Sequence, residues 1–149
     1  MRALGIDVGS KRIGVALSDH LGLLAAPLKA IAVRRGHELA EIAALVRERE
    51  IDTVVIGLPT SLDGSEGPQA LRVRAFAERL APHLGAIPIA FADERFTTAE
   101  AERLMIDRKL TREQRRDRID AAAAAIMLQG YLDSLRPPRP LWRRDEDEG

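Results

Sequence analysis

No cysteine occurs among the 149 residues, which excludes a disulfide framework, a thiol nucleophile and a zinc–thiolate site. Histidine is almost as scarce: His20, His37 and His83 are scattered without the spacing of metal ligands and read as surface or loop residues. Aromatic residues make up only 3%, too few for extensive stacking on bases, so sequence-specific readout of a nucleic acid is not expected. No apolar run approaches a bilayer span, and the N-terminus enters a strand pattern with no secretory signal ahead of it. A cytoplasmic protein without a membrane segment is therefore expected. Net charge is missing too: 23 basic residues balance 23 acidic ones, so no global field draws in a polyanion.

What is present describes a single globular domain. Apolar residues reach 46% and charged residues 31%, a composition that folds rather than staying disordered. The neutral total hides local asymmetry. Residues 108–118 read RKLTREQRRDR, and the chain closes on the acidic DEDEG. A phosphate backbone responds to local potential, so the arginine-rich stretch is a candidate contact. It reads equally as a solvated helix face with internal pairs such as Glu113–Arg116.

The hydrophobic pattern predicts the element order βββαβαβαα. Strands are expected over 2–8, 13–17 and 23–33, joined by the turns at Gly9-Ser10-Lys11 and Asp19–Gly22. A helix is expected over 36–50, then a strand at 53–57 whose continuous apolar run suits burial on both faces. After a turn-rich loop over 58–67, Pro68 suits the first position of a helix presenting Val73, Phe76, Ala77, Leu80 and Leu84. A short strand is expected over 87–91. Capping boxes at Thr97–Glu100 and Thr111–Gln114 open two further helices, the second reaching about Leu135. A hairpin meander followed by crossover units implies an α/β fold with a mixed sheet flanked by helices. The domain is expected to span 1–135, with 136–149, opening Arg-Pro-Pro-Arg-Pro, as a flexible tail.

Three carboxylates stand out against this frame. Asp7 is out of phase with the apolar alternation Leu4-Ile6-Val8, sharing its face with Ala3 and Gly5. Glu94 follows the run that ends at Phe91. Asp120 precedes a run of alanines and shares its face with Ala123 and Ala124. Small residues on both surfaces bring helix and strand close, carrying Asp120 toward Asp7. In α/β sheets ligands gather at the carboxyl ends of parallel strands, where Asp7, the 58–67 loop and Asp93-Glu94-Arg95 all map. Acids placed beside core-facing residues need compensation, and a divalent cation supplies it. Oxygen donors without histidine or thiolate favour Mg²⁺ or Mn²⁺, and a pair of such ions suits phosphodiester hydrolysis.

Each acid taken singly has a plainer reading. Asp7 can cap the Gly9-Ser10 turn, Glu94 can be a solvated acid ahead of a helix, and Asp120 can pair with Arg116. The 58–67 loop leads into a helix N-terminus, so Thr60, Ser65 and Gly67 are candidate phosphate grips, or else parts of a plain crossover loop. Lys11, Arg12 and Arg95 flank the acids and are candidate contacts to neighbouring phosphates.

The motifs GIDVGSKRIGVALSD (5–19), VVIGLPTSLDGSEGPQ (54–69), DERFTTAEAER (93–103) and RIDAAAAAIMLQGYL (118–132) together resemble the YqgF/RuvX family, related to the RuvC junction resolvases. The resemblance implies a ribonuclease H-like, five-stranded mixed sheet with Asp7, Glu94 and Asp120 as the metal-binding, catalytic acids. It implies trimming of the 5′ end of precursor 16S ribosomal RNA, with ribosomal particles as possible company. Where the family commonly has lysines before its helix aspartate, this chain has Arg115, Arg116 and Arg118, which exchange a point charge for a planar fork on phosphate. Asp117, one turn before Asp120, is an open fourth metal ligand.

Two rivals lie outside that reading. A Holliday-junction resolvase acting on branched DNA needs a dimer with two sites, whereas the ribosomal reading suits monomer or homodimer. An actin-like nucleotide-binding module is suggested by Asp7-Val-Gly9-Ser10, but such proteins need two domains. A non-catalytic RNA-binding assembly factor keeping the same fold is a further alternative.

Overall fold

The computed structural model describes residues 1–60, 64–93 and 111–136. Five strands form one mixed sheet in the order β3-β2-β1-β4-β5: β1 Ala3–Val8, β2 Arg12–Ser18, β3 Ala25–Ala32, β4 Thr53–Leu58 and β5 Ile89–Asp93. The first three pair antiparallel. β4 lies parallel to β1, and β5 parallel to β4. The carboxyl ends of β1, β4 and β5 therefore share one edge of the sheet. This is the mixed α/β sheet that the hydrophobic pattern predicts.

Alternation along the strands sorts side chains into two cores. Leu4 and Ile6 of β1, Ile13 and Val15 of β2, and Val54 and Ile56 of β4 bury against α1 (His37–Glu48) and α2 (Pro68–Leu84). Ala3, Ala16, Val55 and Ala92 point the other way and meet α3 (Arg112–Ser134). The predicted face of α2 is realised, with Val73, Phe76, Ala77, Leu80 and Leu84 all buried.

Three boundaries differ from expectation for identifiable reasons. Leu23 and Leu24 leave β3 because Asp19 holds them in a turn: its carboxylate accepts the Leu23 N–H at 2.8 Å, and its own N–H donates to Leu24 O at 3.0 Å. β5 runs from Ile89 to Asp93 rather than over 87–91. Pro88 has no N–H for the ladder but accepts Val54 N–H at 3.0 Å, so paired residues begin after it, and β4 continues the pairing as far as Leu58–Asp93. Helix α1 ends at Glu48, and Glu50 with φ 53 turns the chain out of it. Pro27 sits in the outer strand β3, where the register shifts between Val15 and Ala16, the kind of edge irregularity that tolerates proline. The capping box expected at 97–100, and the segment over 137–149, lie outside the described residues. The box at Thr111 is present in full: Thr111 Oγ1 accepts Gln114 N–H and Gln114 Oε1 accepts Thr111 N–H, both at 3.1 Å.

Candidate active site

Asp7 is the penultimate residue of β1, in register with Gly14 of β2. By the alternation of β1 it faces α3, as Ala3 and Gly5 do. Two glycines let that helix come down onto the sheet. A Cβ on Gly5 would meet Leu128 Cβ at 2.9 Å, and one on Gly14 would meet the Asp120 carbonyl oxygen at 2.0 Å. Gly14 is thus the seat on which the helix backbone rests at Asp120, and Gly14 is also the cross-strand neighbour of Asp7. The two acids are brought to one corner by backbone packing rather than by any attraction between them.

The helix is rotated slightly from the expected phase. Ala121 and Ala124 are buried against the sheet, whereas Ala123 stays partly exposed. Residues four apart stack along one side of a helix, so Asp120, Ala124 and Leu128 form the contacting row, with Ala121 beside it.

Arg12, the first residue of β2, reaches across this corner. Its Nε–H donates to Asp120 Oδ2 at 2.6 Å, and Asp117 Oδ1 lies 3.8 Å away. The distance to Asp120 is that of a charge-assisted hydrogen bond. That hydrogen bond outweighs burial and raises the Arg12 pKa, with the charges of Asp120, Asp117 and Glu113 adding to it. Asp120 pairs with Arg12 and not with Arg116. Asp7 is half-buried and makes no hydrogen bond or ion pair among the described residues. The Arg12 guanidinium thus meets the charges of Asp120, Asp117 and Glu113.

The remaining candidates divide. Arg115, Arg116 and Arg118 are exposed on the first turns of α3 and form no ion pairs among the described residues; the pair Glu113–Arg116 is not made. Lys11 is exposed at the β1–β2 turn. Thr60 donates its hydroxyl to Asp93 Oδ1 at 2.9 Å, which ties the loop after β4 to the end of β5. Gly67 is the residue capping the N-terminus of α2, with no side-chain cap, and Ser65 is exposed just before it. Glu94 and Arg95 lie outside the described residues. Asp93, the last residue of β5, is on the sheet face opposite Ala92, which packs with α3.

Half-buried Asp7, without a partner, beside Asp120, held by a single guanidinium, suits a hard cation: the donors are carboxylate oxygens only. Among the described residues no group of three acids, histidines or cysteines is close enough to hold a metal. Two contributions escape sequence reading. Gly14 gives only the weak signal of a glycine inside a strand, which marks close backbone approach without naming the partner. Arg12 as the partner of Asp120 is a contact across 108 positions.

A family model described as RuvX, Holliday junction resolvase, matches residues 1–134. A protein of Roseiflexus sp. is 51% identical over 91% of this chain and 96% of its own length. One of Myxococcus xanthus is 44% identical over 98% and 97%. Both carry the name "Putative pre-16S rRNA nuclease". Among solved structures, T. thermophilus RuvC in complex with a Holliday junction substrate matches with a TM-score of 0.54 at 13% identity, over 90% of this chain and 95% of that one. That likeness concerns the fold, and it agrees with the ribonuclease H-like sheet described above. With the family model covering nearly the whole chain and relatives matched almost end to end, this chain belongs to the RuvX family of nucleases.

Proposed function

We propose that this protein is a metal-dependent endonuclease whose substrate is precursor 16S ribosomal RNA, trimmed at its 5′ end in the cytoplasm. The observation that carries the reading is the corner formed by Asp7, Gly14 and Asp120 at the carboxyl edge of the parallel strands. An unpartnered, half-buried carboxylate beside a second acid is unfavourable unless the protein uses it. The names of the relatives supply the substrate, and with it the possibility of ribosomal particles as partners.

Asp7, Glu94 and Asp120 would hold Mg²⁺ or Mn²⁺. Glu94 is the residue next after Asp93, the last of β5. Such ions, when bound, would supply an activated water and a counter-charge for the leaving oxygen. The chain's own residues do the rest. Lys11, Arg12, Arg95, Arg115, Arg116 and Arg118 offer cations to the flanking phosphates, and the loop with Thr60, Ser65 and Gly67 offers amides at a helix N-terminus. Asp117, 3.8 Å from Arg12 and about half exposed, serves as a surface acid on that arginine rather than as a fourth ligand.

The second reading, a junction resolvase, is favoured by the family description and requires two sites in a dimer. Labelled RNA carrying the 5′ extension of 16S rRNA and a four-way DNA junction, each incubated with Mg²⁺ or Mn²⁺, separate the two. Cleavage of the RNA at the extension with an intact junction is expected. Symmetric nicking of the junction by a dimer, with the RNA untouched, would establish the resolvase instead.

A further inference from the structure

Helix α2 carries three arginines whose situations differ. Arg74 is committed: its Nε–H donates to the Glu66 carboxylate at 3.0 and 2.9 Å, and its guanidinium lies 4.9 Å from the centroid of Phe91. Arg72 and Arg79 make no hydrogen bond or ion pair among the described residues. They are seven positions apart and so share one side of the helix. Both line a cavity of about 460 Å³, together with Ser10, Gln69, Glu38 and Phe76. Glu38 is the only acid in that lining. Its carboxylate already accepts the N–H groups of Arg34 at 2.9 Å and Gly36 at 3.1 Å, so it offsets one arginine charge without bonding to either.

The position of the cavity matters as much as its charge. Gly9 and Ser10, which form its rim, are the turn that follows Asp7 by two residues. The cavity lies on the α1/α2 face, and Asp7 looks toward α3. A strand passing over the sheet edge at Asp7 meets this cavity on rounding the turn, since three extended residues span at most about 10 Å. Unpaired guanidiniums and a side-chain amide at the rim suit phosphates, and the apolar wall suits a sugar or base.

We propose that this cavity is a second contact for the phosphodiester strand, in which Arg72 and Arg79 grip phosphates adjoining the bond that is cut. The proposal rests on the nuclease reading above and adds a binding region to it. The test is fluorescence anisotropy of the full chain, without divalent metal, on single-stranded RNA of trinucleotide and dodecanucleotide length across a salt series. For R72A/R79A the dodecamer should bind more weakly, its salt slope falling by roughly 0.7 units per lost phosphate contact. The advantage of dodecamer over trimer should shrink. R72K/R79K should keep the wild-type slope. R47A, which removes an exposed arginine from the last turn of α1, should leave it unaltered.

An R72A/R79A slope equal to wild type, in a protein of unchanged circular dichroism, overturns the proposal. So does retained strand binding alongside lost binding of adenosine monophosphate, which would make this a mononucleotide site. Should the wild-type protein neither bind nor cleave any strand, the nuclease reading falls, and this contact with it. If it cleaves while the slopes coincide, only this contact falls.

Discussion

Asp120 Oδ2 accepts the Arg12 Nε–H at 2.6 Å, and an oxygen engaged in this way is a weaker ligand for a cation. A substrate phosphate that took up Arg12 would free the carboxylate and so couple substrate binding to metal binding. Both side chains are about 30% exposed, so the pair is screened and stabilises by no more than about 1 kcal/mol. R12A should therefore bind Mn²⁺ more tightly in the absence of nucleic acid, by up to about fivefold, and bind RNA more weakly. Titration of the Mn²⁺ paramagnetic resonance signal measures the first effect. Weaker Mn²⁺ binding would mean instead that Arg12 holds Asp120 in its ligating position. At this scale the sequence was only partly legible. The phase of Asp7 follows from the Leu4–Ile6–Val8 alternation, a local pattern, whereas the identity of the partner of Asp120 depends on tertiary packing that no local pattern carries.

Among the elements, the docking of α3 on β1 and β2 decides the site, and Gly14 is its most sensitive point. A methyl group there would overlap the Asp120 carbonyl oxygen at 2.0 Å, which is backbone and unable to rotate away. G14A should lower stability by about 1–3 kcal/mol through displacement of the first half of α3, seen as a fall in the urea midpoint, with cleavage lost beyond what unfolding explains. A midpoint equal to wild type would show that the helix has room to shift.

Helix α1 depends on Glu38 in a different way. Gly36 caps it with φ 94 and no side-chain cap, and the Glu38 carboxylate takes the N–H groups of Arg34 and Gly36 instead. Burial pushes the Glu38 pKa up, but those backbone hydrogen bonds and the charge of Arg79 pull it below the ordinary glutamate value. A carboxylate with a depressed folded pKa stabilises above its unfolded pKa of about 4.3, and this is lost as pH falls through the folded value. E38Q should thus melt below wild type at neutral pH, the gap closing as the solution is acidified below about pH 4. A gap independent of pH would remove the charge from the explanation. Elements were the most legible level: helical spacing placed α1 and α2, and turn residues placed the hairpins. The two-residue displacement of β5 was not legible, because the run 87–91 is apolar throughout and only pairing with β4 shows where hydrogen bonding starts.

For the whole molecule, strand order gathers the carboxyl ends of the parallel strands. β1, β4 and β5 end at the same edge, and α3 returns across the opposite face from α1 and α2 to bring Asp120 there. The neutral total charge is compatible with a nucleic-acid substrate because the cations are local: Arg115, Arg116 and Arg118 on one side of the acids, Arg72 and Arg79 beyond the turn on the other. No helix among the described residues is long and apolar enough to cross a membrane. The fold class was legible because the hydrophobic periods are clean, and the phase of Asp7 was legible because it falls opposite the Leu4-Ile6-Val8 alternation. The cavity beside α2 was not, since it is built from the hairpin turn, α1 and α2 together.

Metal-dependent cleavage through Asp7 and Asp120 is the central claim. The most direct measurement is the initial rate at which wild type, D7N and D120N cut end-labelled single-stranded RNA with Mn²⁺, with Mg²⁺ and with chelator. Circular dichroism melts of the same samples control for folding. Wild type should cut only with metal, and each variant should lose more than about a hundredfold in rate, beyond the loss typical of residues that merely support a metal ligand. D7N should melt no lower than wild type in chelator, because removing one of several clustered charges relieves repulsion. D120N also weakens the pair with Arg12 and should lose up to about 1 kcal/mol. Cleavage at wild-type rate by a folded D7N or D120N, or full activity in chelator, would contradict the account.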